Sequence, residues 1–485
     1  MGKLSHLEPK AIWENFEQIC SIPHPSKKEE KIIAFMKQFG ENLGLKTIVD
    51  EVGNVIIKKP ATPGFENRKG IILQGHLDMV PQKNSDKNHD FEKDPIEPVI
   101  HGEKIKANGT TLGADNGIGV AAAMAVLQAK DLQHGPIEAL FTIDEETGMT
   151  GAFGLKPGLL DGDILLNLDS EDEGEIYVGC AGGIDANITY TYKTEDVPLN
   201  STAFKISLLG LKGGHSGMEI ILGRGNANKL MNRFLKYATK KMHIRIAHID
   251  GGSLRNAIPR ESFAIVTVPQ ELENDFMAAI KEFEGIYKNE YLNTEPDLKF
   301  FTEKAAKPEK VIDKITQISM IHGVYACPNG VIRMSDAIPG LVETSNNLAS
   351  IKMNQETIQI SCLLRSSVDS AKKDLAEAIE SAFVTSGAKV EFTGGYPGWK
   401  PNMNSAILKE AREVYNKKFG KIPEIKAIHA GLECGLLAGA YPNLDMISFG
   451  PTIRYPHSPD EEVNIASVQK FWDFLVEVLK NAPVK

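Results

Sequence analysis

Short apolar runs that end in histidine or acidic residues recur in the first part of this chain. Each of three runs is followed closely by side chains that can bind a proton or a metal ion: Ile71–Leu73 by His76 and Asp78, residues 137–143 by Asp144, Glu145 and Glu146, and residues 164–168 by Asp169. Helical patterns of apolar residues separate the runs. Strands that alternate with helices predict an α/β sheet, and ligands bind beyond the ends of such strands.

His76 and Asp78 are separated by a single residue. An extended backbone therefore directs both side chains to the same side. A carboxylate beside an imidazole is the arrangement that orients a metal-bound histidine. A lone histidine after a strand more often makes a structural hydrogen bond, so the interpretation depends on the acidic residues that follow.

A glycine-rich segment over residues 109–119 carries Asp115 and leads into an alanine-rich helix, which we predict over residues 120–128. Neither of the glycine patterns typical of phosphate-binding loops is present there. We therefore do not expect this segment to bind a nucleotide. Further along the chain, His457 lies in a proline-rich turn between Pro456 and Pro459.

Several carboxylates that converge on one site repel one another and need compensating positive charge. Divalent cations supply it, and mixed imidazole and carboxylate ligands suit zinc, with manganese or cobalt as substitutes. Each residue also has a simpler interpretation: Glu145 and Glu146 as a solvated turn, Asp115 and Asp169 as caps or turn residues, and His457 as a surface residue. Their joint occurrence in order, at strand ends, favours a metal site.

The composition argues against several classes of partner. The chain of 485 residues carries a net charge of −10, which disfavours nucleic acid and anionic membranes. No apolar run approaches the ~20 residues that cross a bilayer, and no secretory signal is visible. The five cysteines are scattered, without a CxxC pair, which indicates thiols in a reducing compartment. We therefore expect a cytoplasmic protein.

The order of predicted elements changes after about residue 185. Strands and helices in α+β order continue to about residue 395, and a Gly- and Pro-rich linker over residues 394–402 follows. We predict a fold of the α/β class, with a discontinuous two-metal catalytic domain over residues 1–185 and 396–485. This domain would contain a mixed central sheet, and residues 186–395 would form an inserted α+β lid domain.

Several short motifs resemble those of the two-zinc peptidases, the superfamily that includes carnosinases, aminoacylases and peptidase T. They occur in the same order: Gly75-His76-Leu77-Asp78, Gly113-Ala114-Asp115-Asn116-Gly117, Asp144-Glu145-Glu146, Asp169 and Pro456-His457-Ser458. Three further segments, at residues 213–217, 256–261 and 429–435, are most similar to the aminoacyl-histidine dipeptidases, also called cytosol non-specific dipeptidases. The resemblance covers nearly the whole chain, and no metal position departs from it.

This resemblance implies two Zn²⁺ ions per chain, with Mn²⁺ or Co²⁺ as possible substitutes. Asp115 would bridge both ions. His76 and Asp169 would bind one ion, and Glu146 and His457 would bind the other.

The resemblance also implies roles for residues beside the ligands. Asp78 would orient His76. Glu145 would act as general base on a water molecule whose pKa the two ions lower. Relatives hold a cis peptide bond after the bridging aspartate, so we expect one at Asp115–Asn116.

The inserted domain should contact the substrate. The histidine that matches His215 in relatives stabilises the oxyanion. Arg365, at the end of a strand predicted over residues 357–364, is suited to pair with a substrate carboxylate, and Asn256 would add a polar contact. Both could instead be ordinary surface residues. Glu433 would meet the substrate amine, although its loop could act through backbone amides alone.

We therefore predict a zinc-dependent dipeptidase, a carnosinase-like metallopeptidase that hydrolyses unblocked dipeptides, including Xaa-His types such as β-Ala-His. One alternative is an aminoacylase or a tripeptide aminopeptidase that uses the same site. An alternative of another class is a non-catalytic metal-binding or scaffold protein, although a free Glu145 beside the ligands argues against it. A homodimer is the default expectation for a soluble oligomer, and neither nucleic acid nor a membrane is expected as a partner.

Overall fold

A computed structural model describes residues 3–485 of the chain. Its contacts divide it into two compact units. The first unit contains residues 3–179, together with Trp399–Ala427 and Leu432–Lys485. The second unit contains Cys180–Gly398 and the short segment Ile428–Gly431. The limits 186–395 for a separately folding inserted domain remain a prediction.

The strands are numbered in chain order. They are β1 Lys46–Val49, β2 Val55–Lys59, β3 Ile71–His76, β4 Pro98–His101, β5 Lys104–Ala107, β6 Ile137–Thr142, β7 Ile164–Asn167, β8 Glu175–Cys180, β9 Gly182–Thr191, β10 Thr194–Asp196, β11 Ser201–Leu209, β12 Gly214–His215, β13 Arg245–Gly251, β14 Ala257–Ile258, β15 Ser262–Pro269, β16 Lys299–Lys304, β17 Lys310–Ile312, β18 Gly330–Met334, β19 Val342–Met353, β20 Thr357–Ser366, β21 Lys389–Tyr396, β22 Glu424–Ile428, β23 Asp445–Ser448, β24 Ile453–Arg454 and β25 Glu462–Asn464.

The α-helices are numbered in the same way. They are α1 Lys10–Cys20, α2 Glu30–Asn42, α3 Ala114–Gln128, α4 Glu145–Gly148, α5 Thr150–Gly154, α6 Ala227–Met242, α7 Glu273–Glu290, α8 Lys314–Ala326, α9 Asp369–Val384, α10 Ala406–Phe419, α11 Glu433–Ala440 and α12 Ile465–Lys480. Single turns of 3₁₀ helix occur at Ile220–Leu222 and Gln270–Leu272.

The first unit is built on an eight-stranded mixed sheet in the order β1-β2-β6-β3-β7-β23-β8-β22. β3 pairs in parallel with β6 and β7. In this register His76 lies opposite Thr142, and Gln74 lies opposite Asn167, so the three strands end at the same edge. All residues of these strands are buried. That burial explains why these strands appear in the sequence as continuous runs of apolar residues.

The second unit is built on a nine-stranded sheet in the order β16-β11-β15-β13-β19-β20-β9-β21, with β18 paired to β19. Every pairing in it is antiparallel. Helix residues such as Phe234, Phe276 and Phe383 lie with strand residues in one buried cluster. An antiparallel sheet can bury one face under helices in this way and leave the other to solvent.

The helix predicted over residues 120–128 is longer than expected. α3 begins at Ala114, and the backbone angles of Asp115 and Asn116 depart from helical values near its start. The peptide bond Asp115–Asn116 is cis, as predicted. The sequence pattern missed the first turn because its glycines are typical of loops.

Two sequence-based expectations concern membranes and thiols. Within residues 3–485, no helix combines the length and apolar character needed to cross a bilayer. All five cysteines are buried, and none of them forms a disulfide in this part of the chain.

Candidate active site

The five predicted metal ligands and Glu145 lie at one edge of the sheet of the first unit. They come from separate segments: His76 from the end of β3, Glu145 and Glu146 from α4 after β6, Asp169 from the loop after β7, Asp115 from the first turn of α3, and His457 from the loop between β24 and β25. The shared edge of the parallel strands places three of these segments side by side. Chain folding thus gathers residues that are far apart in sequence.

Asp115 lies between the two histidines and turns a different oxygen toward each. Its Oδ1 is 3.2 Å from Nε2 of His76, and its Oδ2 is 3.4 Å from Nε2 of His457. Asp169 Oδ1 is 3.4 Å from the same nitrogen of His76. Glu146 Oε2 is 2.9 Å from Nε2 of His457. Two groups of three residues, each compact enough for one metal ion, therefore share Asp115.

The side chains of both groups fit divalent cations. Oδ1 of Asp169 and Oε1 of Glu146 are buried and accept no hydrogen bond within the described residues, so both are available as ligand atoms. Hydrogen bonds to Asp115 and Glu146 raise the pKa of His457 to about 11. The shift is caused by the negatively charged carboxylates around His457, and a bound cation would balance the same charge.

Glu145 lies next to the ligands, and its carboxylate forms no hydrogen bond or ion pair within residues 3–485. One of its carboxylate oxygens lies within 4.8 Å of ligand atoms of His76 and Glu146. Burial raises the pKa of the Glu145 carboxyl well above its usual range; His76 opposes this effect, and Asp169 adds to it. A carboxylate that takes up a proton readily is suited to general base chemistry.

Asp78 contacts more of the site than the sequence indicated. Its Oδ1 is 3.4 Å from Nδ1 of His76, whereas its own main-chain oxygen is closer to that nitrogen, at 3.0 Å. The carboxylate also accepts hydrogen bonds from the main-chain nitrogens of Glu145 and Glu146, at 2.9 and 3.2 Å, and from the hydroxyl of Ser26, at 2.8 Å. Asp78 therefore holds the segment of the acidic pair as well as the imidazole.

A layer of buried polar side chains, which we call the polar layer, lies below the site in the same strands. Gln74, Thr142 and Asn167 form it with Glu433. Gln74 precedes His76 by two residues in β3, so both side chains point to the same side of that strand. Asn167, the last residue of β7, precedes Asp169 by two and donates a hydrogen bond to Gln74. The sequence offered a signal that we missed, a polar residue within each apolar strand.

Glu433 belongs to this polar layer. Its Oε2 accepts hydrogen bonds from Nε2 of Gln74, at 2.6 Å, and from the hydroxyl of Thr142, at 2.7 Å. Its Oε1 is buried and has no hydrogen-bond partner among the described residues. Burial raises the pKa of Glu433 to about 7. One oxygen is therefore committed to the polar layer, and only the other remains for the predicted contact with a substrate amine.

In the second unit, His215 is held in one tautomer. Its Nδ1 accepts hydrogen bonds from the main-chain nitrogens of Gly217, at 3.2 Å, and Met218, at 3.0 Å. Burial and the nearby Arg365 lower the pKa of His215, which favours the neutral ring. A neutral imidazole that accepts at Nδ1 carries its proton on Nε2. Nε2 is therefore a donor, as the predicted oxyanion role requires.

Arg365 is buried, with 6% of its surface exposed, and no carboxylate lies within salt-bridge distance of it in residues 3–485. Its Nε has no hydrogen-bond partner there, and its Nη1 donates to the hydroxyl of Tyr396 at 3.4 Å. A buried guanidinium without a carboxylate is costly unless a ligand supplies one. This arrangement is consistent with the predicted pairing with a substrate carboxylate.

Gly217 marks the point where His215 and Arg365 approach each other. A Cβ at this position would lie 3.0 Å from Cε1 of His215 and 3.3 Å from Nε of Arg365. It would also collide with the main-chain oxygen of His429. Only glycine leaves room for these three groups.

Sequence reasoning missed the side chain of His429 as a member of this cluster. Its Nε2 lies 2.7 Å from the hydroxyl of Ser345, and burial together with Arg365 lowers its pKa to about 3. Asn256, by contrast, has an exposed side chain, and it is the main-chain oxygen that accepts a hydrogen bond from Ser216, at 2.8 Å. The predicted side-chain role of Asn256 remains a prediction.

Comparison with known proteins gives the family. The model for peptidase family M20/M25/M40 matches residues 72–481. The chain belongs to this family. It is 48% identical to the cytosol non-specific dipeptidase of Escherichia coli (strain K12) over 485 residues, which cover both chains completely.

Solved structures agree with this assignment. The aminoacylhistidine dipeptidase of Vibrio alginolyticus is 50% identical, with a TM-score of 0.96 over 100% of this chain and 99% of that one. An aminopeptidase of Bacillus cereus, 17% identical, has a TM-score of 0.58 over 98% of this chain and 99% of that one, and shows a shared fold alone.

These matches confirm the predicted resemblance to the aminoacyl-histidine dipeptidases and the predicted α/β fold. They also confirm the enzyme class, a metal-dependent peptidase, which sets aside the non-catalytic alternative.

Proposed function

We propose that this protein hydrolyses the peptide bond of unblocked dipeptides, including Xaa-His substrates such as β-Ala-His. The observation that carries the chemistry is the position of Asp115 between two imidazoles, with Glu145 beside them. The substrate class follows from the two dipeptidases that match the whole chain. A cytoplasmic location follows from the name of the Escherichia coli relative, and a homodimer remains the default expectation.

Two cations, which we propose to be Zn²⁺ with Mn²⁺ or Co²⁺ as substitutes, would be held by the five ligands. Asp115 would contact both, His76 and Asp169 would hold one, and Glu146 and His457 the other. When bound, such ions polarise a carbonyl group and acidify a water molecule.

The remaining chemistry belongs to the side chains. Glu145 accepts a proton from the attacking water as its oxygen bonds to the peptide carbon. Glu145 then gives this proton to the leaving nitrogen as the C–N bond breaks. Nε2–H of His215 donates to the oxyanion between these two steps. Asp78 keeps His76 and the main chain of Glu145 in place throughout.

Three further contacts would select dipeptides. Arg365 would pair with the carboxylate of the substrate, and Asn256 would add a polar contact. Oε1 of Glu433 would receive the free amino group. A binding site that fixes both charged ends of the substrate favours two-residue peptides over longer or acetylated ones.

The test of this function is release of histidine from β-Ala-His and Ala-His by metal-loaded protein, with N-acetyl-Ala-His and a tripeptide as comparison substrates. We expect cleavage of the free dipeptides alone. Cleavage of the acetylated substrate would favour the aminoacylase alternative, and cleavage of the tripeptide would favour the aminopeptidase. Failure to cleave any of them with metal bound would contradict the proposal.

Replacement of Arg365 by Ala should weaken dipeptide binding. Loss of one partner from a buried, hydrogen-bonded charge pair costs about 2 kcal/mol or more, so KM for Ala-His should rise by a factor of about 30 or more. kcat should change much less. Steady-state kinetics with Ala-His and with its C-terminal amide would measure both constants.

The C-terminal amide of Ala-His is the decisive comparison substrate, because it lacks the negative charge that Arg365 would bind. Wild type and Arg365→Ala should process it equally poorly. Arg412, exposed on α10, supplies a matched control, and Arg412→Ala should leave both substrates unaffected. An unchanged KM for Ala-His in Arg365→Ala would show that the carboxylate binds elsewhere.

Metal removal should destabilise the protein. Without cations, the carboxylates around Asp115 repel one another and lose their compensating charge. A ligand present at a thousand times its Kd stabilises the folded state by about 4 kcal/mol. Thermal unfolding should therefore begin at a lower temperature after chelation, and readdition of Zn²⁺ should reverse the change. An unchanged transition would contradict a metal site at these residues.

A further inference from the structure

Glu461 makes an unusual set of contacts with the segment that carries Asp115. Its side chain is buried, with 2% of the residue exposed. Oε2 accepts hydrogen bonds from the main-chain nitrogens of Leu112, at 2.7 Å, and Gly113, at 3.0 Å. Oε1 accepts from those of Ala114, at 2.8 Å, and Asp115, at 3.2 Å. One carboxylate thus binds four consecutive amides.

These amides stand at the start of α3, where main-chain N–H groups have no partner within the helix. A side chain just before the helix usually accepts such groups, but Gly113 occupies that position and has no side chain to offer. Glu461 replaces the missing cap from a position 346 residues away in the chain. Its negative charge also matches the positive end of the helix dipole.

All four partners of Glu461 are donors, so the chemistry of the contact requires a group that only accepts. An ionised carboxylate meets this requirement at both oxygens. A glutamine has the same shape, but its amide nitrogen is a hydrogen-bond donor and would face two main-chain N–H groups that are also donors. Those two amides would then be buried without an acceptor, which is unfavourable.

The same short segment also supplies a predicted metal ligand. His457 precedes Glu461 by four residues, and a hydrogen bond of 2.9 Å from the nitrogen of Glu461 to the oxygen of Ser458 closes the turn between them. His457 contacts the side chain of Asp115, and Glu461 contacts its main chain. Asp115 is therefore held at two points by one turn.

We infer that Glu461 is a positioning residue, which fixes the backbone of Asp115 so that each carboxylate oxygen meets one of the two metal-binding groups. This inference rests on the proposed function, because it assigns Glu461 a role in the same reaction. In this role Glu461 acts on the reaction only through Asp115 and does not contact the substrate. Groups that orient a metal ligand in this way change metal affinity by about 10- to 100-fold when they are replaced.

The experiment compares Glu461→Gln with Glu462→Gln. Glu462 is the next residue, also buried, and forms ion pairs with Lys104 and Lys106; it belongs to neither group of predicted metal ligands. Metal-free protein would be titrated with Co²⁺, and its visible absorption would report both affinity and ligand geometry. We expect Glu461→Gln to weaken Co²⁺ binding by about 10- to 100-fold and alter the spectrum. Glu462→Gln should retain both wild-type properties.

Activity adds a second measurement. At saturating Co²⁺, Glu461→Gln should show a lower kcat for Ala-His with little change in KM, because Asp115 and not the substrate is displaced. The inference would be overturned if Glu461→Gln kept the wild-type Co²⁺ affinity and absorption spectrum and only unfolded at a lower temperature. Glu461 would then act only as a cap of the helix. If this variant does not fold, Glu461→Asp, which keeps the charge on a shorter side chain, takes its place under the same criteria.

The two hypotheses fail in different ways. Wild-type protein that binds no Co²⁺ and cleaves no dipeptide would contradict the proposed function. Wild-type protein that does both, beside a Glu461→Gln variant with the same affinity and spectrum, would contradict only the role of Glu461.

Discussion

Replacement of Glu145 by Gln is expected to lower kcat for Ala-His by a factor of about 10³, within the range attributed to general acid–base catalysis. Glutamine keeps the size of the side chain and can still form hydrogen bonds, but it cannot accept a proton from water. The metal ligands and the contacts of the Glu145 main chain with Asp78 are untouched. Metal content should therefore remain that of wild type.

Steady-state kinetics together with elemental analysis of the same sample would make this measurement. Glu51, an exposed residue of the first unit, provides the matched substitution, and Glu51→Gln should behave as wild type. A fully metal-loaded Glu145→Gln variant with substantial activity would exclude Glu145 as the base. A loss of metal in the variant would instead make Glu145 a ligand, as its proximity to His76 and Glu146 permits.

Replacement of Asp115 by Asn should differ from Glu145→Gln, because the variant should lose bound metal as well as activity. The two histidines meet different oxygens of Asp115, and asparagine retains only one oxygen. The amide nitrogen cannot coordinate a cation, and the negative charge shared between both groups disappears. We expect less than half of the wild-type metal content and a fall in kcat/KM of about 10³ or more, comparable with the loss of a principal catalytic group.

Metal per chain after desalting and kcat/KM at fixed Zn²⁺ would be measured in parallel for both variants. Asp86→Asn, at an exposed position of the first unit, is the corresponding control. Full metal content in Asp115→Asn would show that this residue does not bridge the groups. The contrast between Glu145→Gln and Asp115→Asn then separates chemistry from metal binding.

The strand ends were predictable from sequence for a physical reason. Buried parallel strands read as apolar runs, and the side chains that follow them must meet at the edge where the strands end. His76, Asp169 and the pair Glu145 and Glu146 could be identified in this way. Asp115 and His457 follow no buried strand, so they were candidates only as residues of a glycine-rich segment and a proline-rich turn, and the resemblance to known peptidases was needed to assign them as ligands.

Other features of the site leave little trace in the sequence. Glu461 stands in the acidic run Asp460-Glu461-Glu462, which is typical of a solvated turn. Its partners lie 346 to 349 residues away, so their pairing depends on the complete fold. The start of α3 was misplaced because its glycines are typical of loops, and because its cap is supplied by Glu461 and not by a neighbouring residue. Gln74 and Asn167 do stand out as polar residues in apolar strands, but the sequence does not indicate that they are hydrogen-bond partners of each other.

The pairing of β7 with β23 has a consequence for the synthesis of this protein. Ser448 and Asn167 touch across this pair although 281 residues separate them. During synthesis on the ribosome, the edge of β7 that pairs with β23 therefore stays unpaired until the whole second unit has been made. An open strand edge beside apolar surface invites association with other nascent chains. Shortened chains that stop before β23 should accumulate as aggregates, and chaperone demand should be greatest while the second unit is emerging.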